Sequence, residues 1–162
     1  MKQRHRNVVS LAACQGLLIM NNVMMISIGT LAAYALAGNK LLITLPATAY
    51  VVGGALATLP MSHYMRRNGR RAGFMIGCGF GLAGGALAAA ATALGSFWLL
   101  CLAGLISGVY TGTGGFYRFA AAETAEPRFR SRAISLVLAG GILGGIFGPE
   151  SSKITKDLLD TV

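Results

Sequence analysis

Charge is what this 162-residue sequence has least of: Asp, Glu, Lys and Arg together supply 12% of it. A soluble domain draws about a quarter of its residues from those four types, because they form its surface. A chain this poor in them cannot cover itself in water. Cysteine is scarce too. Cys14, Cys78 and Cys101 lie singly in separate apolar stretches, which excludes disulfide or metal-ligand spacing and leaves them as small packing residues. There is no nucleophile beside a base, no paired carboxylate and no His/Cys/acid cluster, so neither enzymatic chemistry nor a bound metal or cofactor is expected. Long linkers and Pro/Ser-rich segments are also missing, and residues 1–162 read as a single membrane domain.

What is present is apolar, 54% of the residues, with a mean hydropathy of +0.63. Residues 8–37, 41–65, 72–117 and 133–149 contain no Asp, Glu, Lys or Arg. About 20 apolar residues of helix cross a hydrocarbon core about 30 Å thick, so the fold class expected is an all-α membrane protein. The window 72–117 is long enough for two crossings, and Gly95-Ser96 marks its turn, just ahead of the interfacial aromatics Phe97 and Trp98. Five spans are expected, at about 8–37, 41–65, 72–94, 97–122 and 133–147, followed by a short tail, 150–162. The outline of a secretory signal is visible in Lys2-Gln-Arg4-His5-Arg6 and in Ala35-Leu36-Ala37, but the apolar run between them contains Gln15, Asn21 and Asn22 and is too long. A retained first span fits better.

An arginine at the bilayer centre costs about 2.5–3.5 kcal/mol, against about 0.3–0.6 gained for each Leu or Ile. Arg66, Arg67, Arg70 and Arg71 are therefore expected in a loop. Counted by side, Lys2, Arg4, Arg6, those four, Arg118, Arg128, Arg130 and Arg132 give eleven cations on one face, against Lys40, Lys153 and Lys156 on the other. The positive-inside rule makes the richer face cytoplasmic, with the N-terminus inside and the C-terminus outside a plasma (inner) membrane. The net charge of +9 is then a topology signal. With no polar domain to present these cations, nucleic-acid binding is not expected.

Glycines recur every four residues: Gly77, Gly81 and Gly85, then Gly104, Gly108 and Gly112, then Gly140, Gly144 and Gly148. Such spacing keeps them near one helix face, where neighbouring backbones can approach. Neither Gly77-Cys-Gly79-Phe-Gly81 nor Gly112-Thr-Gly114-Gly115 follows a strand or has a lysine partner, so neither is a phosphate loop.

The segment Ser62-His-Tyr-Met-Arg-Arg67-Asn-Gly69-Arg70-Arg71, between the second and third spans, resembles the signature loop of the major facilitator superfamily. Glycine there allows a sharp reversal, and the arginines can hold carboxylates or helix C-termini at a cytoplasmic gate. Arg67, Gly69, Arg70 and Arg71 match; Ser62 stands where glycine is usual, and Arg66 takes the place of the acidic residue. Glu123, Glu126-Pro127 and Arg132-Ala133 resemble that family's loop between helices four and five. The resemblance implies Glu123 as partner to Arg67, Arg70 or Arg71, a surface pair worth about 0–1 kcal/mol. In the fifth span, Gly144-Gly145-Ile-Phe-Gly148-Pro149 resembles the helix-five motif of the family's antiporters, though the glycine usual a few residues later is absent. The arginine many members carry within helix four is replaced here by about Gly104.

Polar groups at membrane depth usually face a cavity or another helix. In this sequence they are Gln15, Asn21 and Asn22 in the first span, Tyr50 in the second, and Tyr110, Thr113, Tyr117 and Arg118 in the fourth. Because the resemblance implies that helices one and four line the translocation cavity, Asn21, Asn22, Tyr110, Tyr117 and Arg118 become the substrate-cavity candidates. The alternative is interhelical hydrogen bonding at about 0.6 kcal/mol each, or, for Arg118, snorkelling to the headgroups. No carboxylate lies within a span, so a coupling acid must lie elsewhere; His63, near the cytoplasmic interface, is the nearest group titrating around neutrality.

The resemblance, from about Asn7 to Pro149, implies half of a secondary carrier that moves a small solute by alternating access. Family members have twelve helices in two halves, so five helices form only one wall of a cavity and are not expected to transport alone. The partners expected are the lipid bilayer, a small-molecule substrate, and a complementary membrane half or self-association. The alternatives are a truncated or non-transporting structural or assembly protein, and a self-assembling small membrane protein.

Overall fold

The computed structural model describes residues 2–37, 40–125 and 128–159, with side chains over 7–37, 41–125 and 128–147. Among the described residues six α-helices follow in order: α1 (Lys2–Leu36), α2 (Leu45–Asn68), α3 (Arg70–Ala93), α4 (Phe97–Gly114), α5 (Tyr117–Thr124) and α6 (Arg130–Leu159), with a short 3-10 turn at Lys40–Leu42. The all-α membrane fold expected from composition is the fold observed. Among the described residues four segments are long and apolar enough to cross a bilayer: Asn7–Leu36, Arg70–Ala93, Phe97–Thr124 and Arg130–Phe147. Helix α2 matches α3 in length but is diluted by Pro46, Thr48, Thr58, Pro60, Ser62 and His63, which lowers its hydropathy.

The helices divide into two compact units, Met25–Gly115 and Met1–Met24 with Phe116–Val162. In the first, α4 is the centre. Its glycines lie on backbone of α2: a Cβ on Gly104 would fall 2.6 Å from the Pro46 carbonyl oxygen, and Cβ atoms on Gly108 and Gly112 would collide with the Tyr50 and Gly54 carbonyls. Residues 46, 50 and 54 thus climb with 104, 108 and 112, so α2 and α4 run parallel. Four-residue ridges on both helices match the close crossings that small residues permit. Against α3 the order reverses, with Gly77 on Thr113, Gly81 on the Tyr110 ring and Gly84 on Ser107, so α3 is antiparallel to α4. A small cluster of Ala33, Ala91 and Leu100, flanked by Leu36 and Phe97, closes one end of this unit.

In the second unit α1 and α6 cross the same way. A Cβ on Gly16 would lie 2.9 Å from the Gly140 carbonyl oxygen, while Gly140 and Gly144 sit directly on the carbonyls of Ala12 and Gly16. These two helices are parallel. Helix α5 packs on α6, with Tyr117, Ala120, Ala121, Ala133 and Val137 buried.

Burial runs opposite to that of a soluble protein. Glycine, alanine and small polar residues fill the contacts, whereas Leu17, Leu31, Leu56, Leu59, Leu82, Trp98 and Ile142 stand exposed. Outward leucines are stable only where the solvent is hydrocarbon, and small residues are what close helix packing in lipid requires.

Several expectations shift in detail. The arginines are not in an extended loop: Arg66 and Arg67 form the last turn of α2, Arg70 and Arg71 the first turn of α3, and Gly69 alone connects them. Charged helix ends can project past the hydrocarbon, so the insertion penalty is avoided without unwinding the helix. The stretch expected as one span at 97–122 is long and apolar enough to cross as one, Phe97–Thr124, with a turn at Gly115-Phe116 that parts α4 from α5. Gly85 does not belong to its ladder, since a Cβ there would meet nothing within 4 Å. Cys14 and Cys78 are exposed and only Cys101 is half-buried, so two of the three cysteines do not fill a core.

Candidate functional site

Two glycines take positive φ among the described residues, and both sit at turns. Gly69 has φ 88° and its N–H donates to the Met65 carbonyl (2.9 Å), reversing the chain in one residue. The buried Met65 side chain folds back onto Gly73 and locks α2 against α3. Arg66, Arg67 and Arg71 are exposed and Arg70 is half-buried, so four guanidiniums fall within six residues at one end of this unit. At the other end Gly95, with φ 64°, precedes Ser96, whose side chain accepts from the Leu99 N–H (3.4 Å) and caps α4.

Hydroxyls at membrane depth are mostly satisfied on their own helices. Thr30 donates to the Ile26 carbonyl (2.6 Å), Thr58 to Gly54 (2.8 Å) and Thr113 to Val109 (2.7 Å). Thr113 is therefore a packing residue, its methyl against Gly77, and not a free polar contact. A side-chain hydrogen bond joins two helices where Thr111 Oγ1 donates to the hydroxyl of buried Tyr50, tying α4 to α2. Ser107, 1% exposed, lies against Gly84 with its Oγ buried and unpartnered. Neither the Thr111 bond nor the burial of Ser107 was foreseen from sequence; the pair Gly53-Gly54 in α2, opposite the α4 ladder, was the available signal.

The cavity candidates fall in both units. In Met25–Gly115, Tyr110 is half-buried with its ring on Gly81 of α3. In the other unit Asn21 and Asn22 are half-buried on α1, Tyr117 is buried at the start of α5, and the neighbouring Arg118 is exposed, its guanidinium 5.2 Å from the centre of the Phe119 ring. Glu123 is exposed in the last turn of α5. Of the helix-five motif, Gly144 meets α1 at Gly16; Gly148 and Pro149 lie outside the described side chains.

Helices that bury glycine against backbone, expose aliphatics and turn on an Arg-x-Gly-Arg-Arg corner define a polytopic α-helical membrane protein. Residues 11–151 match the Major Facilitator Superfamily, and the chain belongs to that family. It is 38% identical over 154 residues to riboflavin transporter RfnT of Brucella anthropi, covering 95% of this chain and 39% of that protein. It is 31% identical over 136 residues (82% of this chain, 31% of the relative) to the uncharacterized MFS-type transporter YdeG of Bacillus subtilis. With the uncharacterized MFS-type transporter YddS of the same organism it shares 30% over 141 residues, 85% of this chain and 31% of that one. The chain thus spans less than two fifths of the length of these relatives. No solved structure matches it significantly.

Proposed function

We propose that this chain forms one wall of a secondary carrier that moves a planar, polar heterocycle of the flavin type across the plasma (inner) membrane by alternating access. The observation that carries the substrate class is the 38% identity, over 95% of the chain, to a protein named as a riboflavin transporter. The side chains available suit such a solute. In the unit that holds α1, α5 and α6, the Tyr117 ring can stack on a heterocycle, the Asn21 and Asn22 amides can meet its carbonyls and ring nitrogens, and Arg118 can meet a carbonyl edge. The helix registers support a reading with five crossings: α2 and α4 run parallel with α3 reversed, as alternating spans require, and α1 and α6 are parallel, as first and fifth spans require. The arginine-rich corner and the N-terminus then face the cytoplasm. The cavity is completed by a complementary membrane half.

The test is a chimera in which residues 1–150 replace the matching part of the Brucella anthropi transporter. Riboflavin uptake by riboflavin-requiring cells is expected from the chimera and not from the 162-residue chain expressed alone. In the chimera Asn22→Ala should lower uptake about tenfold, the loss of roughly 1.4 kcal/mol of solute binding. A chimera that inserts normally but carries no riboflavin contradicts the substrate class; uptake by the chain alone contradicts its role as one wall.

A further inference from the structure

Helix α2 carries a proline in its interior, Pro60. The proline ring has no hydrogen to donate and crowds the carbonyl one turn back, that of Leu56, so the helix bends more readily there than elsewhere. On one side of Pro60 the helix is fastened: the Pro46, Tyr50 and Gly54 carbonyls lie against glycines of α4, and the Tyr50 hydroxyl accepts from Thr111. On the other side its buried side chains are Met61 and Met65, and Met65 folds onto Gly73 of α3. Methionine has three rotatable bonds, so it can keep such a contact while its backbone moves. Helix α3 is weak at the same level for a different reason. Met65 on Gly73 sets the register of these antiparallel helices, so Pro60, five residues before Met65, stands level with Cys78, five residues after Gly73. Glycine flanks Cys78 on both sides, at 77 and 79. Packing accounts for Gly77, which rests on the Thr113 side chain, but a Cβ on Gly79 would meet nothing within 4 Å. What glycine at 79 changes is therefore the backbone, which it makes easier to bend. Pro60 and Phe80 line one open apolar groove of about 350 Å³, together with Leu56, Met61, Leu105 and Val109. The groove agrees with that register and leaves room beside both weak points, where helix contacts are usually close-packed.

We propose that Pro60 and Gly79 are paired hinges, and that residues 61–78, comprising the end of α2, the Gly69 turn and the start of α3, swing on them as one piece. Met65 on Gly73 holds the two arms of that piece together. The arm from Pro60 to Asn68 is about 12 Å long, so a bend of about 20° carries the corner, with Arg66, Arg67, Arg70 and Arg71, through about 4 Å. Above the hinges α2 stays fastened to α4 through its glycines, and α3 through Gly84 on the Ser107 backbone. The device does not depend on which solute the protein moves.

The test reads motion on each side of the hinges in the full chain, held in lipid nanodiscs. Cys14, Cys78 and Cys101 are first changed to alanine. A single cysteine carrying a trifluoromethyl reporter is then introduced as Ser62→Cys or Met75→Cys, exposed positions on the two arms, or as Val51→Cys, exposed on the fastened half of α2. Fluorine relaxation dispersion should show microsecond-to-millisecond exchange at 62 and 75 and none at 51. Pro60→Ala and Gly79→Ala should each lower the population of the minor bend, and with it the exchange amplitude at 62 and 75, at least about fivefold. Gly85→Ala makes the same change in the same helix, at another glycine with open space around it, and should leave both signals as they were. If one hinge variant does not insert, the other reads the same quantity. Signals free of exchange at 62 and 75 overturn the proposal, as does exchange that survives Pro60→Ala or Gly79→Ala, or that Gly85→Ala suppresses equally. Exchange of equal size at 51 overturns it too, since the whole of α2 would then be moving.

Discussion

A single methyl group separates the two kinds of glycine in this protein. Gly84 rests on Ser107, where a Cβ would come within 2.7 Å of the backbone nitrogen and 2.9 Å of Cα, atoms that cannot swing aside. One residue on, Gly85 faces open space. Gly84→Ala should therefore destabilise the α3–α4 pair by about 1–3 kcal/mol, the usual effect of overpacking. Gly85→Ala should be neutral or gain up to about 1 kcal/mol from helix propensity, both measured by unfolding in detergent micelles titrated with denaturing detergent. The sequence shows a four-residue rhythm but not its drift. Each step of four over-rotates by about 40°, so Gly85 lies about 80° from Gly77, whereas Gly84, seven residues on, returns to within about 20°. Similar blindness hid the fate of the hydroxyls: Thr113 looked like a cavity group and instead bonds the Val109 carbonyl one turn back.

Helix pairing was legible to the extent that it depends on composition. Spans one, three, four and five, and the turns at Gly69 and Gly95-Ser96, follow from apolar length and glycine placement, and all have counterparts in the structure. Helix ends did not, because Arg66, Arg67, Arg70 and Arg71 remain helical while leaving the hydrocarbon, and because a turn at Gly115-Phe116 parts α4 from α5. The α2–α4 pair shows what pattern alone leaves out. Its carbonyl-on-glycine contacts follow from Gly104, Gly108 and Gly112 only once their partners Pro46, Tyr50 and Gly54 are known. One polar bond, Thr111 to Tyr50, is added to that contact. A double-mutant cycle of Thr111→Val and Tyr50→Phe should give a coupling energy of about 0.6 kcal/mol, the average for hydrogen bonds between helices in lipid. A coupling near zero would show that glycine packing alone holds the pair.

For the whole molecule, we propose that this member of the Major Facilitator Superfamily threads the bilayer in alternating helices, α2 among them, with its arginine corner in the cytoplasm. Charge asymmetry, eleven cations against three, carried that orientation in the sequence; the parallel α2–α4 and antiparallel α3–α4 registers fit the alternating threading of those three helices. The solute was not legible at all, since amides and tyrosines serve a cavity and a helix interface equally well. Single cysteines at the two turns test the threading most directly, with Cys14, Cys78 and Cys101 first changed to serine. In intact cells a membrane-impermeant thiol reagent should label Ser96→Cys and spare Asn68→Cys, which reacts only once the membrane is opened. Labelling of both from the same side, or of Asn68→Cys alone in intact cells, would contradict the account.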